Sequence, residues 1–196
     1  MKAGAVRLPQ ALLSCISLAC NDANRVEICK QVRIAAVVTL FSARHLPHVD
    51  GMFGTCDAFI EVVYQGKTLK STVQKKSLDP DWKPEEKFEF DLSSGELADI
   101  EIQLKDWNMS SSARLLGTTV ITVDALKRLL AGDKAAFPSE EFLITAPDGK
   151  PLMGKDKKQA HLVMKVVLAI DNAAAEKASL ESCLVLPSKE ASVHAV

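Results

Sequence analysis

Between Arg33 and Ile170 apolar and polar residues alternate in short runs broken by turn residues, the period-two pattern of half-buried strands. Ala36, Val38 and Leu40 place one side of a first strand inside. Leu46-Pro47 ends it, because proline cannot donate to a ladder. Phe59 to Tyr64 predicts a second strand, and Gln65-Gly66 a tight turn into a third over 68–73. Phe88-Glu89-Phe90 and Ile100 to Leu104 give the fourth and fifth. Val120 to Val123, Phe142 to Ile144 and Leu162 to Leu168 complete the set. One helix interrupts before the seventh strand: Asp124 stands as its N-cap, Leu126, Leu129 and Leu130 form its apolar face, and Gly132 occupies the C′ position. The pattern predicts an all-β, antiparallel, eight-stranded sandwich with one short helix.

The flanks read differently. Over residues 1–30, Leu8, Leu12, Ile16 and Ala19 recur at helical spacing, which predicts a weak amphipathic helix. The basic start and the short apolar stretch before Cys20 also fit a leader, but Pro9, Gln10, Ser14 and Ser17 interrupt it. Residues 171–196 are rich in Ala, Glu and Lys until Pro187 and predict a partly helical or disordered tail. The expected organisation is an extension over 1–30, the sandwich over 31–170 and a tail over 171–196.

Charge narrows the partners. Across 196 residues, 24 Lys+Arg stand against 25 Asp+Glu, so no bulk positive field exists to grip nucleic acid. An anionic partner would have to meet a local patch. The five cysteines are an odd number without a CxxC pair, which fits a reducing compartment better than a disulfide framework. Gly149 to Lys155 nearly spells a phosphate-binding loop, yet Asp156 stands where magnesium needs a hydroxyl and a strand follows instead of a helix. His45 and His48 lack further ligands at zinc spacing. No nucleophile elbow, paired catalytic carboxylates or Cys–His arrangement is present, so a non-catalytic protein is expected.

The order of motifs resembles a C2 domain, the Greek-key β-sandwich module of protein kinase C and synaptotagmin. Val38-x-Leu40-x-x-Ala43-x-x-Leu46-Pro47-x-x-Asp50 is similar to the family's first strand and calcium loop, and Cys56-Asp57-Ala58-Phe59-Ile60-x-Val62 to its Ser-Asp-Pro-Tyr-Val-x-Val. Leu78-Asp79-Pro80-Asp81-Trp82-Lys83-Pro84-Glu85 resembles Leu-Asn-Pro-x-Trp-Asn-Glu. Ile100-x-Ile102-x-Leu104-x-Asp106-x-Asn108, then Leu116-Gly117, matches the third loop and sixth strand. The closing run Ala160 to Met164 resembles the last strand of the type II, phospholipase-type permutation. The resemblance covers most of 33–170.

It implies calcium ligands on two loops at one end, since calcium takes six to eight oxygens. The family's acidic positions fall on Asp50, Asp57, Asp106, Asn108 and Arg114. Asn108 contributes a carbonyl but no charge. Arg114 is a cation where an anion belongs, repels the ion and suits a role as counter-ion to Asp50 or Asp106. Calcium binding is therefore expected to be weak, and the alternative is that the carboxylates are satisfied by backbone N–H groups and Arg114.

Two features suit an anionic membrane. Met52 and Phe53 in the first loop and Met109 in the third are apolar where loops are usually polar. Lys67, Lys70, Lys75 and Lys76 lie in a stretch without acids, and strand alternation places Lys70 and Lys76 on one outer face. The expectation is a cytoplasmic, peripherally membrane-associated module that docks on anionic phospholipid, with calcium dependence weak or lost and no nucleic-acid partner. The alternative is a calcium-independent scaffold that holds a protein partner.

Overall fold

The computed structural model describes residues 33–49, 55–92, 96–108, 112–133, 135–137 and 139–171. The expectations for residues 1–30, the tail beyond Asp171, and Asp50, Met52, Phe53 and Met109 lie outside the described residues.

Eight strands are β1 (Arg33–Arg44), β2 (Ala58–Tyr64), β3 (Lys67–Lys70), β4 (Asp81–Asp91), β5 (Ile100–Asp106), β6 (Arg114–Ile121), β7 (Glu141–Leu143) and β8 (His161–Asp171). They form two four-stranded antiparallel sheets, ordered β4-β1-β8-β7 and β3-β2-β5-β6. The closing strand β8 therefore lies against β1, the placement expected of the type II topology. A single helix among the described residues, α1 (Val123–Leu130), precedes β7.

Alternation decides the packing. Val38 and Leu40 of β1, Ile60 and Val62 of β2, Ile102 and Leu104 of β5, and Leu162 and Met164 of β8 meet in one core between the sheets. Each such side chain contributes about 1.5–3 kcal/mol on burial. Trp82 is buried with its indole N–H donated to the Thr72 carbonyl at 2.9 Å, so the one polar atom of the ring is satisfied. The β2–β3 hairpin turns at Gln65 (φ 47°) and Gly66 (φ 81°), the doubly left-handed pair that matches strand twist.

Three elements differ from the pattern. First, β3 stops at Lys70, short of Val73. At Ser71 the N–H still donates to the Ile60 carbonyl at 2.9 Å, but the side-chain hydroxyl instead of the carbonyl accepts the Ile60 N–H at 2.9 Å, which ends the regular ladder, and the chain pairs with β2 again at Gln74 opposite Ala58. Second, β6 begins at Arg114 rather than near Val120. A bulge sets Lys105 against Leu115 and Leu104 against Gly117, and the extra residue breaks the alternation by which a strand is recognised. Third, α1 is capped by Thr122, whose hydroxyl accepts the Ala125 N–H at 3.3 Å, while Asp124 sits in the first turn.

Antiparallel pairing brings 45–49, 55–57, 71–80, 107–108, 112–113 and 144–160 to one end of the sandwich. Backbone bonds from Leu46 N–H to the Leu78 carbonyl (2.9 Å) and from Ser77 N–H to the Cys56 carbonyl (3.0 Å) tie the first two of these to the third.

Candidate functional site

At that end the paired termini of β2 and β5 set Asp57 and Asp106 side by side. Ala58 lies opposite Asp106, and the Asp57 N–H donates to Asp106 Oδ1 at 2.9 Å. Asp106 is buried, Asp57 half-buried, and Asp57 Oδ1 accepts the Lys76 N–H at 2.7 Å. The Trp107 N–H returns to the Asp57 carbonyl at 2.8 Å. Asn108 follows two residues after Asp106, half-buried. Arg114 stands opposite Asp106 in the β5–β6 register with its side chain exposed.

The structure thus brings Asp57, Asp106 and Asn108 to one corner, with at least one oxygen of each carboxylate already engaged by a backbone N–H. Among the described residues no group of three His, Cys, Asp or Glu is placed to hold a metal ion.

The lysines occupy separate places. Lys67 turns over the sheet edge, its ammonium 5.7 Å from the Phe90 ring centre and 3.4 Å from the Glu89 carbonyl. Lys70 lies on the outer face of β3, 2.8 Å from Glu61. Lys75 sits over the Trp107 ring at 5.3 Å, and Lys76 occupies the same turn with φ 54°, so its side chain does not continue the Lys70 row. Trp107 itself is 36% exposed at the loop end.

Two partners of this arrangement carry no motif in the sequence. Lys105 on β5 reaches Glu61 at 2.6 Å, so Glu61 is held between two ammonium groups across three strands. Burial alone would raise its pKa, but the hydrogen bonds and charges of Lys105 and Lys70 outweigh it and hold the carboxyl below the ordinary range. The other is Asp156, which accepts from His45 Nδ1 at 2.8 Å and fastens the segment 144–160 to the start of the first loop. Burial would raise its pKa too, but the Lys158 N–H and the charges of His45 and Lys158 outweigh it and lower it.

The C2 domain family model matches residues 35–136, from the start of β1 to beyond α1. The chain belongs to the C2 domain family. The human Ras GTPase-activating protein 4B is 38% identical over 74 residues, which is 38% of this chain and 9% of that protein. The C2 domain-containing protein 5 of Xenopus tropicalis is 34% identical over 91 residues, or 45% of this chain and 9% of the relative. The chain thus matches about a tenth of the length of these relatives. Among solved structures, a chain of Extended-Synaptotagmin 2 that holds its SMP domain and two C2 domains superposes with a TM-score of 0.53 at 19% identity, over 76% of this chain and 32% of that one. That likeness is one of fold. Calcium is commonly bound by C2 domains, and the loop corner holding Asp57 and Asp106 is where this one presents its candidate ligands. Among the described residues no helix is long and apolar enough to cross a membrane.

Proposed function

We propose that this C2 domain is a non-catalytic module that docks peripherally on anionic phospholipid, with calcium dependence weak or lost. The observation that carries the reading is the loop end itself: Trp107 lies exposed beneath Lys75, with Lys76 hydrogen-bonded through its N–H to the neighbouring Asp57. An amphipathic ring beside ammonium groups suits the boundary between headgroups and acyl chains, where tryptophan prefers to sit. Each lysine near an anionic leaflet adds about 1 kcal/mol. Met52 and Phe53 in the first loop and Met109 in the third would add apolar area to the same contact. Lys67 and Lys70 would serve as outlying attractors, Lys70 weakened by its pairing with Glu61.

Calcium has a small part in this docking. Asp57 and Asp106 are tied to backbone N–H groups, Asn108 is neutral, and Arg114 puts a positive charge across from Asp106. With Asp50 they would hold at most one weakly bound ion.

The test is vesicle binding by charge-reversal and ring-removal variants. Lys75→Glu with Lys76→Glu is expected to weaken binding to phosphatidylserine vesicles by roughly tenfold or more, at about 1 kcal/mol per lysine lost. Trp107→Ala should weaken it independently of salt. Unchanged binding by both variants would show that the loop end is not the contact.

A further inference from the structure

Between β7 and β8 the segment 144–160 adds no regular strand, yet its backbone is closely hydrogen-bonded. Its base is a closed triangle: the Ile144 N–H donates to the Ala160 carbonyl at 3.0 Å, the Ala160 N–H to the Leu152 carbonyl at 2.7 Å, and the Leu152 N–H to the Ile144 carbonyl at 3.0 Å. Ile144 and Ala160 are fully buried, so the core fixes this base. Two tight turns follow from it. The Ala146 N–H meets the Lys150 carbonyl at 2.8 Å in the first, with Gly149 at φ 80°. The Gly154 N–H meets the Lys158 carbonyl at 2.8 Å in the second, with Lys157 at φ 61°. Gly154 lies so close to the start of the first loop that a Cβ there would collide with the His45 carbonyl. The turns expose Lys150, Lys155, Lys157 and Lys158 against two acids, Asp148 and Asp156. Both acids are engaged: Asp148 pairs with Lys150 at 3.4 Å, and Asp156 accepts from His45 Nδ1 at 2.8 Å and from the Lys158 N–H at 3.2 Å. Lys155 and Lys157 have no ion-pair partner among the described residues. Met153, between the two turns, is 47% exposed.

We propose that this segment is a second contact with the anionic phospholipid leaflet, with Lys155 and Lys157 meeting headgroup phosphates and Met153 entering the boundary beside them. The inference rests on the docking reading above and adds a surface beyond residues 35–136, the part that the family model matches. Place supports it first. His161 at the start of β8 lies opposite Arg44 at the end of β1, so the segment shares the end of the sandwich that presents Lys75, Lys76 and Trp107. A cleft of about 350 Å³, lined by Leu46, Leu78, Asp79 and Lys155 among others, lies between it and the 71–80 turn that carries Lys75 and Lys76. Charge comes second. Asp79 and Asp156 also line the cleft, which disfavours a small anion held within it and favours a broad anionic surface reached by exposed ammonium groups. Order comes third. A base held in the core has little freedom left to lose on docking, so the lysines are presented at low entropic cost. The Trp107 contact lies at the end of β5 in one sheet and this one between β7 and β8 of the other, so engaging both stands the sandwich on that end.

The experiment is lysine footprinting of the full 196-residue chain with a water-soluble acylating reagent, read by mass spectrometry. The chain is compared free and bound to vesicles of phosphatidylserine and phosphatidylcholine in equal parts. Lys155 and Lys157 are expected to react several-fold more slowly on the vesicles, together with Lys75, while Lys127 of α1 and Lys165 of β8 keep their free rates. Protection of Lys75 without Lys155 and Lys157 would overturn this inference and leave the docking reading standing. A chain that does not bind the vesicles would overturn both. Equal protection by inorganic phosphate in place of vesicles would assign the lysines to a soluble anion and overturn the leaflet contact. As a second measurement, Lys155→Glu with Lys157→Glu is expected to weaken vesicle binding roughly tenfold or more with the unfolding midpoint unchanged. Lys127→Glu with Lys165→Glu makes the same change in net charge elsewhere and should leave binding within about twofold of the parent. Equal weakening by the two pairs would reduce the effect to net charge and overturn the contact.

Discussion

Glu61 is a carboxylate on an outward strand face, yet only 8% exposed, because Lys70 and Lys105 close over it from both neighbouring strands. Its lowered pKa gives a signed prediction. A depressed carboxyl stabilises the fold above its unfolded-state pKa, and that contribution is lost as pH falls through the folded value. Glu61→Gln removes the charge from both hydrogen bonds and should cost about 1–3 kcal/mol near neutral pH. Its acid unfolding should also be shallower than that of the parent chain, as read by denaturant titrations across the acid range. The same variant releases two ammonium groups on one face. If anionic lipid is the partner, vesicle binding should strengthen; weaker binding would show that the intact triad forms the contact. The acidic loop positions, the lysines and the motif tryptophan were legible in the sequence as residue types. Lys105 and Trp107 were not, because their roles arise from cross-strand neighbours: Lys105 has meaning only beside Glu61, and Trp107 only beneath Lys75.

At the scale of elements, alternation predicts every strand, and the misplaced ends have local causes. Ser71 ends β3 by substituting a hydroxyl for a ladder carbonyl, and the bulge at Leu104 and Lys105 hides the first half of β6. Gly117 explains why β6 can sit where it does. A Cβ there would meet the Thr145 carbonyl oxygen at 2.5 Å and the Ile144 side chain at 2.6 Å, while Thr118 and Thr145 exchange backbone hydrogen bonds. Gly117→Ala must push the 144–146 segment off the sheet edge and should cost about 1–3 kcal/mol in thermal or denaturant unfolding. An unchanged midpoint would mean that the segment moves freely. The helix start is ambiguous in the sequence, since Thr122 and Asp124 are both good caps and only the backbone fixes which begins the turn. Thr122→Ala should lower stability by about 1 kcal/mol and Asp124→Ala by less, because the Thr122 hydroxyl holds the Ala125 N–H.

For the molecule as a whole, the sandwich and its type II order follow from periodicity and from motifs in family order. Periodicity fixes which side of each strand is buried, and burial fixes the sheets. The candidate binding end is harder to see. Four lysines in one acid-free stretch suggest one face, but β3 ends at Lys70 and the following turn aims Lys75 and Lys76 elsewhere. The result is a loop end with an aromatic ring and local positive charge, on a molecule whose net charge is −1. Attraction to an anionic surface then depends on orientation and should fall steeply with salt.

The most direct measurement is co-sedimentation of the full chain with phosphatidylserine vesicles, once in calcium and once in chelator. Binding is expected in both conditions, with little gain from calcium, because Lys75, Lys76 and Trp107 act without an ion. Binding that appears only in calcium would show that Asp57 and Asp106 assemble a working site with Asp50. No binding in either condition would contradict the membrane reading and turn the search to a protein partner.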